Sequence, residues 1–252
     1  NFFMTIPPCY SVKLLRSYCI FRTSARSMND VFSTLFSVEL LRKGEELMKF
    51  YMDILQRAKE AAEDAVALRR VLHACPELDF DLDETLVVVT SHLTERGVPW
   101  RKVGKAGVVA HIDGTLPGRA VLLRADMDAL PITEETEVPW RSKIEGCMHA
   151  CGHDIHTACL LGSADVLMTL KDSFQGTVLL VFQPAEETSG GALPMIQGGL
   201  FGDTVPAAAF ALHCTPSLPS GTVGVFHGPF CAASDMFDCI FQGAGAHGAE
   251  PQ

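Results

Sequence analysis

The stretch Gly146-Cys147-Met148-His149-Ala150-Cys151-Gly152-His153-Asp154 packs two thiols, two imidazoles and a carboxylate into nine residues. On a helix, Cys151 and His153 would diverge by about 200°. Both can reach one divalent ion only if the backbone between them is a loop, and Gly152 supplies the freedom that such a loop needs. Asp154-Ile155-His156-Thr157-Ala158 then begins a helix, expected over 154–172. The site is therefore expected in a loop that enters a helix N-terminus.

Two ligands do not complete a zinc-like site. Further donors lie where apolar runs end: at Glu186 and Glu187 after the run 177–182, and at His213 after Ala207-Ala208-Ala209-Phe210-Ala211-Leu212. A third run, Ala120-Val121-Leu122-Leu123-Arg124-Ala125, ends in Asp126 and Asp128. Three buried-looking strands thus carry ligand-type residues at their C-terminal ends, where open α/β sheets place their sites. Apolar strands alternate with helices at about 154–172 and 190–198, between strands at 176–182 and 207–212. This pattern implies an α/β domain with a mainly parallel central sheet flanked by helices.

Upstream, apolar spacing predicts a helix over 38–74 and a second from Asp83 to near Gly97. Strands are expected at 100–103, 108–112 and 119–125, with a turn at Gly114-Thr115-Leu116-Pro117-Gly118. A short strand at 221–226 and an exposed one at 234–241 close the reading.

Leu123-Arg124-Ala125-Asp126-Met127-Asp128-Ala129-Leu130-Pro131, Met148-His149-Ala150-Cys151-Gly152-His153-Asp154 and Gln183-Pro184-Ala185-Glu186-Glu187 occur in that order. Together they resemble the metal-dependent amidohydrolases that include aminoacylases, hippurate hydrolases and plant auxin (IAA)–amino acid conjugate hydrolases. The resemblance runs from about Leu68 to the last residue. It implies a zinc-peptidase-like catalytic domain with an inserted α+β lid or dimerisation domain, and hence a division into 1–47 as leader and linker, 48–233 as an incomplete catalytic domain and 234–252 as the truncated start of the lid.

The combined pattern makes Cys151, His153, Glu187 and His213 metal ligands, and the resemblance assigns the same four to a pair of divalent ions. Thiolate favours zinc, while relatives also use manganese. The resemblance also makes Glu186 the general base for a metal-activated water and Glu187 its metal-binding neighbour. A bound metal lowers the pKa of such a water to about 7. Asp128 is expected to orient a ligand and Asp126 to satisfy backbone donors. His149 and Asp154 are candidates for the same supporting role. His247, in Gly243-Ala244-Gly245-Ala246-His247-Gly248-Ala249, resembles a histidine that polarises the substrate carbonyl across a dimer, although Ala246 departs from the usual glycine. Cys147 and Cys159 read as packing residues, His156 as a packed or exposed histidine of the helix, and His73, His92, His111 and His227 have no assigned role. The implied activity is hydrolysis of N-acyl amino acids or amino acid conjugates by a homodimer. The alternative is a metal-binding fragment or interaction protein without catalysis. One further histidine is expected beyond Gln252, so these residues alone are expected to be inactive.

A net charge of −10 over 252 residues argues against nucleic-acid binding. No apolar run reaches the roughly 18 residues of a membrane span. Nine cysteines, odd in number and irregularly spaced, suggest reduced thiols and an intracellular site. Residues 1–29 contain Lys13, Arg16, Arg22 and Arg26 with no acid before Asp30, as organellar transit peptides do. A mitochondrial or plastid location follows if that leader is real, and a cytoplasmic one otherwise. Residues 4–47 fused to a fluorescent reporter are expected to carry it into an organelle. A diffuse cytosolic signal would remove the targeting role.

Overall fold

A strand without polar alternation needs cover on both faces, and residues 178–183 are buried without interruption inside strand β5, Gln175–Gln183. The computed structural model describes residues 2–5, 38–188, 190–225, 228, 237, 239–245 and 247–250. Around β5 are β2 (Trp100–Val103), β3 (Gly107–Asp113), β4 (Leu116–Asp126), β6 (Ala208–Cys214) and β7 (Val223–Val225), with β1 at Phe2–Thr5. Helices α1 (Val38–Glu60), α2 (Ala62–Ala74), α3 (Asp83–Glu95), α4 (His153–Leu170) and α5 (Ala192–Gln197), with a 3₁₀ turn at Lys171–Ser173, complete the described elements.

The strands form one sheet in the order β2-β3-β5-β4-β6-β1-β7. Its centre, β5-β4-β6, is parallel as expected. Pairing turns antiparallel at β2–β3, β3–β5 and β1–β6. The three-residue link from β2 to β3 can close only a hairpin, which fixes that pair as antiparallel. The two-residue link from β3 to β4 crosses the start of β5, where Gly114 donates its N–H to the Gly176 carbonyl. A Cβ at Gly114 would lie 2.2 Å from the Phe174 carbonyl oxygen, so only glycine passes there.

Helices α3 and α4 cover one face of the sheet. Leu82, Val89, Leu93, Leu160 and Leu161 pack there on Val108, Ala110, Leu180 and Phe182. On the other face Met195 of α5 and Leu200 close over Val103, Val109, Leu122, Leu179 and Val181. The helix expected over 38–74 is divided at Ala61, although an Ala61 N–H to Arg57 carbonyl bond continues the helical pattern across the break. The one expected over 190–198 shortens to six residues around Pro194, which is tolerated only in a first turn. β4 starts at Leu116, inside the expected turn, with a register shift before Ala120.

β1 falls within the stretch read as a leader and pairs with both β6 and β7; residues 6–37 lie outside the described residues. So does His227, and of the strand expected at 234–241 the described residues are Phe237 and 239–241, none of them in a strand. No helix among the described residues is long and apolar enough to cross a membrane.

Asp126, Gln183 and Cys214 end the three parallel strands, and His153 begins α4 beside them. The core beneath this edge rests on Phe182, which is completely buried. Phe182→Ala is expected to lower the unfolding free energy by about 3–5 kcal/mol in urea titrations. A loss under about 1 kcal/mol would mean that the site can collapse, or is not packed as described.

Candidate metal centre

The cysteine–histidine loop is held from two sides. Leu130 and Met148 exchange backbone N–H···O bonds of 3.0 and 3.1 Å, and the Cys147 thiol donates to the Pro76 carbonyl. Gly152 then turns the chain into α4 with φ of 86°, the left-handed region that favours glycine. A Cβ at this position would also lie 2.3 Å from the Cys214 sulfur. Glycine is required twice over. His153, the first helical residue, is completely buried there.

The side chains that were read as ligands converge. Cys151 Sγ is 3.3 Å from His213 Nε2. Donor atoms of Cys151, His153 and His213 lie within 4.8 Å of one another, and so do those of His153, Glu186 and Glu187. His153 belongs to both groups. Its Nδ1 is 3.4 Å from Asp128 Oδ1, and its Nε2 is 3.7 Å from Glu187 Oε1. Asp128 Oδ2 also accepts the Glu187 N–H at 3.1 Å, so one carboxylate holds the glutamate turn and faces the imidazole. Within that turn Glu187 is half-buried and Glu186 is exposed, which separates their roles by position.

Both ring nitrogens of His153 and Glu187 Oε1 are buried without a hydrogen-bond partner among the described residues. Native proteins rarely leave such atoms unpaired. Cys151, His153 and His213 in one group, and Glu187 grouped with His153 in the other, could hold zinc-like ions, which would partner Glu187 Oε1 and one nitrogen of His153. The electrostatics agree. His153 and His213 draw the Cys151 thiol down against the opposing effect of its burial. Burial works to lower His153, yet Asp128 and Cys151 outweigh it and push the imidazole up to about 11. His213 rises to about 9, chiefly through Cys151. An entering ion would displace those protons, which makes its binding pH-dependent.

Asp126 differs from expectation. It binds side chains where backbone donors were expected: Arg124 Nη1 at 2.7 Å and His156 Nδ1 at 2.6 Å, with His153 Nε2 3.6 Å away. Burial opposes its charge, but His156 and Arg124 hold the carboxyl far below the usual range. His156, read as a packed or exposed histidine, is buried and doubly bonded. His149 is buried with neither ring nitrogen partnered among the described residues, burial pushes it down to about 4, and it lies outside all four groups of convergent donors, two of which include His156. His247 is exposed, with its Nδ1 accepting the nearby Ala249 N–H.

Asp154 opens a second network that sequence reading missed. Its Oδ2 meets Arg69 Nε at 2.8 Å and His73 Nδ1 at 2.7 Å, while His73 Nε2 reaches Glu134 Oε1 at 3.2 Å. Glu134 also accepts from the Ser142 N–H and the Thr136 hydroxyl. Burial works against its charge, but these donors hold it at about 2. The only hint in the sequence is Arg69 four residues before His73, on one helical face. His73 thus clamps α2 to the start of α4. Asp154 raises its pKa above the ordinary 6.5, with burial opposing and Glu134 assisting. A raised imidazole stabilises the fold fully below its unfolded pKa and loses that contribution as pH rises through the folded value. His73→Gln is therefore expected to cost roughly 1.5–3 kcal/mol near pH 6, the range for bonds to charged groups, and progressively less in alkaline buffer. Denaturant titrations across pH check this, and a gap that widened with pH would refute the clamp.

Residues 122–240 match Peptidase family M20/M25/M40. An N-acetylcysteine deacetylase of Bacillus subtilis (strain 168) is 42% identical over 74% of this chain and 49% of its own length. The IAA-amino acid hydrolase ILR1-like 4 of Arabidopsis thaliana is 44% identical over 74% of this chain and 42% of its own. Among solved structures, the Bacillus subtilis YXEP protein, described as a dinuclear metal-binding peptidase of the M20 family, superposes with a TM-score of 0.64. It shares 41% identity over 68% of this chain and 48% of that one. The chain spans about half the length of the curated relatives it matches.

Proposed function

The chain belongs to Peptidase family M20/M25/M40, and from that membership we propose that the whole protein hydrolyses the amide bond of small N-acyl amino acids or amino acid conjugates at a dinuclear metal centre. The observation that carries the reading is the convergence of Cys151, His153, His213 and Glu187 at the C-terminal edge of the parallel strands, with Glu186 beside them. Cys151, His153, Glu187 and His213 would hold the ions. When bound, the ions supply Lewis-acid activation of water and of the scissile carbonyl. Their identity, zinc or manganese, is left to the donor chemistry, in which the thiolate favours zinc.

Glu186 stands exposed at the mouth of the site, where it accepts a proton from the attacking water and returns it to the departing nitrogen. Asp128 faces His153 Nδ1 as an ion-pair neighbour at 3.4 Å and keeps the turn of Glu186 and Glu187 in place. His247 is assigned to the substrate carbonyl across a homodimer, in which the segment from residue 234 onward begins the lid. No covalent intermediate is involved, since the described site offers a base and no activated side-chain nucleophile apart from the ligand Cys151.

Glu186→Gln in the whole protein is expected to keep full metal content and lose at least about 100-fold in turnover, the lower range for a general base. Glu187→Gln is expected to lose metal. Metal analysis and hydrolysis assays on a panel of N-acyl amino acids, with and without chelator, test both. Equal metal loss in the two variants would sink the division of roles, and metal-replete protein inactive on the whole panel would sink the reaction class.

A further inference from the structure

We propose that His156 is a positioning residue for the metal centre: it holds His213 in place through the backbone of Cys214, and it does so in one tautomer. The inference rests on the reading of His213 as a ligand. His156 Nε2 lies 2.9 Å from the Cys214 backbone nitrogen, and Nδ1 lies 2.6 Å from Asp126 Oδ1. A backbone N–H can only donate, so Nε2 is the acceptor and the ring proton sits on Nδ1, directed at Asp126. The same bond fixes the peptide plane that joins His213 to Cys214.

Among the described residues, no β4 ladder bond reaches this point. The β4–β6 ladder ends at the Arg124–Ala211 pair, two residues short of His213. Beyond that point β1 still pairs with the other edge of β6, at Phe3–His213 and Phe2–Cys214, but the edge that faces β4 has no ladder partner to fix it to the fractions of an ångström that separate a ligand from a neighbour. His156 takes over where the ladder stops. Its ring also meets the His213 ring edge-on, with centroids 4.7 Å apart. His213 Nδ1 bonds the Cys214 carbonyl at 2.6 Å, which leaves Nε2 facing Cys151.

The clasp is anchored at its far end. Asp126 Oδ2 holds Arg124 Nη1 at 2.7 Å, and Arg124 Nε donates to Gln183 Oε1 at 2.9 Å. Gln183, Arg124, Asp126, His156 and Cys214 form one hydrogen-bonded line across the ends of β5, β4, α4 and β6. Those are the elements that carry or adjoin Glu187, Asp128, His153 and His213. A change at His156 therefore reaches His213 first.

The test uses cobalt(II) titration of the whole protein, followed by the thiolate-to-cobalt charge-transfer band and by chelator competition. His156→Asn keeps a donor for Asp126 but is too short to accept the Cys214 N–H. It is expected to weaken cobalt binding roughly 10- to 100-fold, as loss of an orienting partner does. His156→Gln, long enough to accept that bond, is expected to recover most of the affinity. His213→Ala should weaken binding more, and adding His156→Asn to it should cost little further, because both act on one ligand. Wild-type affinity in a folded His156→Asn, or fully additive losses, would overturn the inference. Independently of any variant, nitrogen-15 chemical shifts of the wild-type ring should report the Nδ1-protonated tautomer, and an Nε2-protonated ring would overturn it. Should wild type and His213→Ala bind cobalt equally, the ligand reading beneath the inference falls, and the inference with it.

Discussion

Two buried carboxylates at the end of β4 hold this site together. Each is almost completely removed from solvent, and an isolated charge in that position would be prohibitively costly. Each is therefore surrounded by donors drawn from other elements. Asp126 gathers Arg124 and His156, while Asp128 gathers His153 and the backbone of the glutamate turn. Removing one member of such a buried pair typically costs about 3–5 kcal/mol, because the remaining charge is left uncompensated. The same cost that makes these carboxylates a liability makes the arrangement specific: only one mutual placement of β4, β5, β6 and α4 satisfies both.

The glutamate turn shows how much local cost that placement absorbs. Ala185 is fully buried with φ of 50°, a left-handed conformation that costs a non-glycine residue about 1–3 kcal/mol. Its N–H donates to the Asp79 carbonyl and its carbonyl accepts the Gly191 N–H. Asp79 is itself left-handed, with φ of 53°, and its carboxylate accepts the Thr188 hydroxyl. Two strained residues thus brace each other across the turn. The result is a sharp exit from β5 that leaves Glu187 inside and Glu186 outside, which a strand continuing straight would not deliver so close to His153.

What was legible in the sequence follows from the range of the interactions. Periodicity and glycine placement are local, so the strands at 100–103 and 108–112, the helix near 154 and the loop at Cys151 could be read directly. The ligand-type residues were legible because they end apolar runs. The supporting residues were not, since their partners are distant in sequence: His156 meets Asp126 from 30 residues away and His73 meets Asp154 from 81. Nothing about a histidine inside a helical pattern says which buried carboxylate it will face. The side-chain partners of Asp126 were hidden for the same reason, as they include His156, 30 residues away. The mixed pairing of the sheet was hidden too, because the apolar run of β5 looks alike whether its neighbour β3 is parallel or antiparallel.

One electrostatic conflict remains at the start of α4, and its resolution explains the density of acids there. A helix N-terminus carries a partial positive charge, which opposes the binding of a cation beside it. His153 sits at that end, and a divalent ion on its Nε2 would meet the helix dipole with the wrong sign. The first-turn Asp154 offsets the dipole from within the helix. Asp126, Asp128, Glu187 and the lowered Cys151 thiol add negative charge around His153. Arg69 and His73 take up part of the charge on Asp154. Part of this local gathering of anions offsets the helix on which His153 is mounted, and the rest faces the charge of the proposed pair of ions.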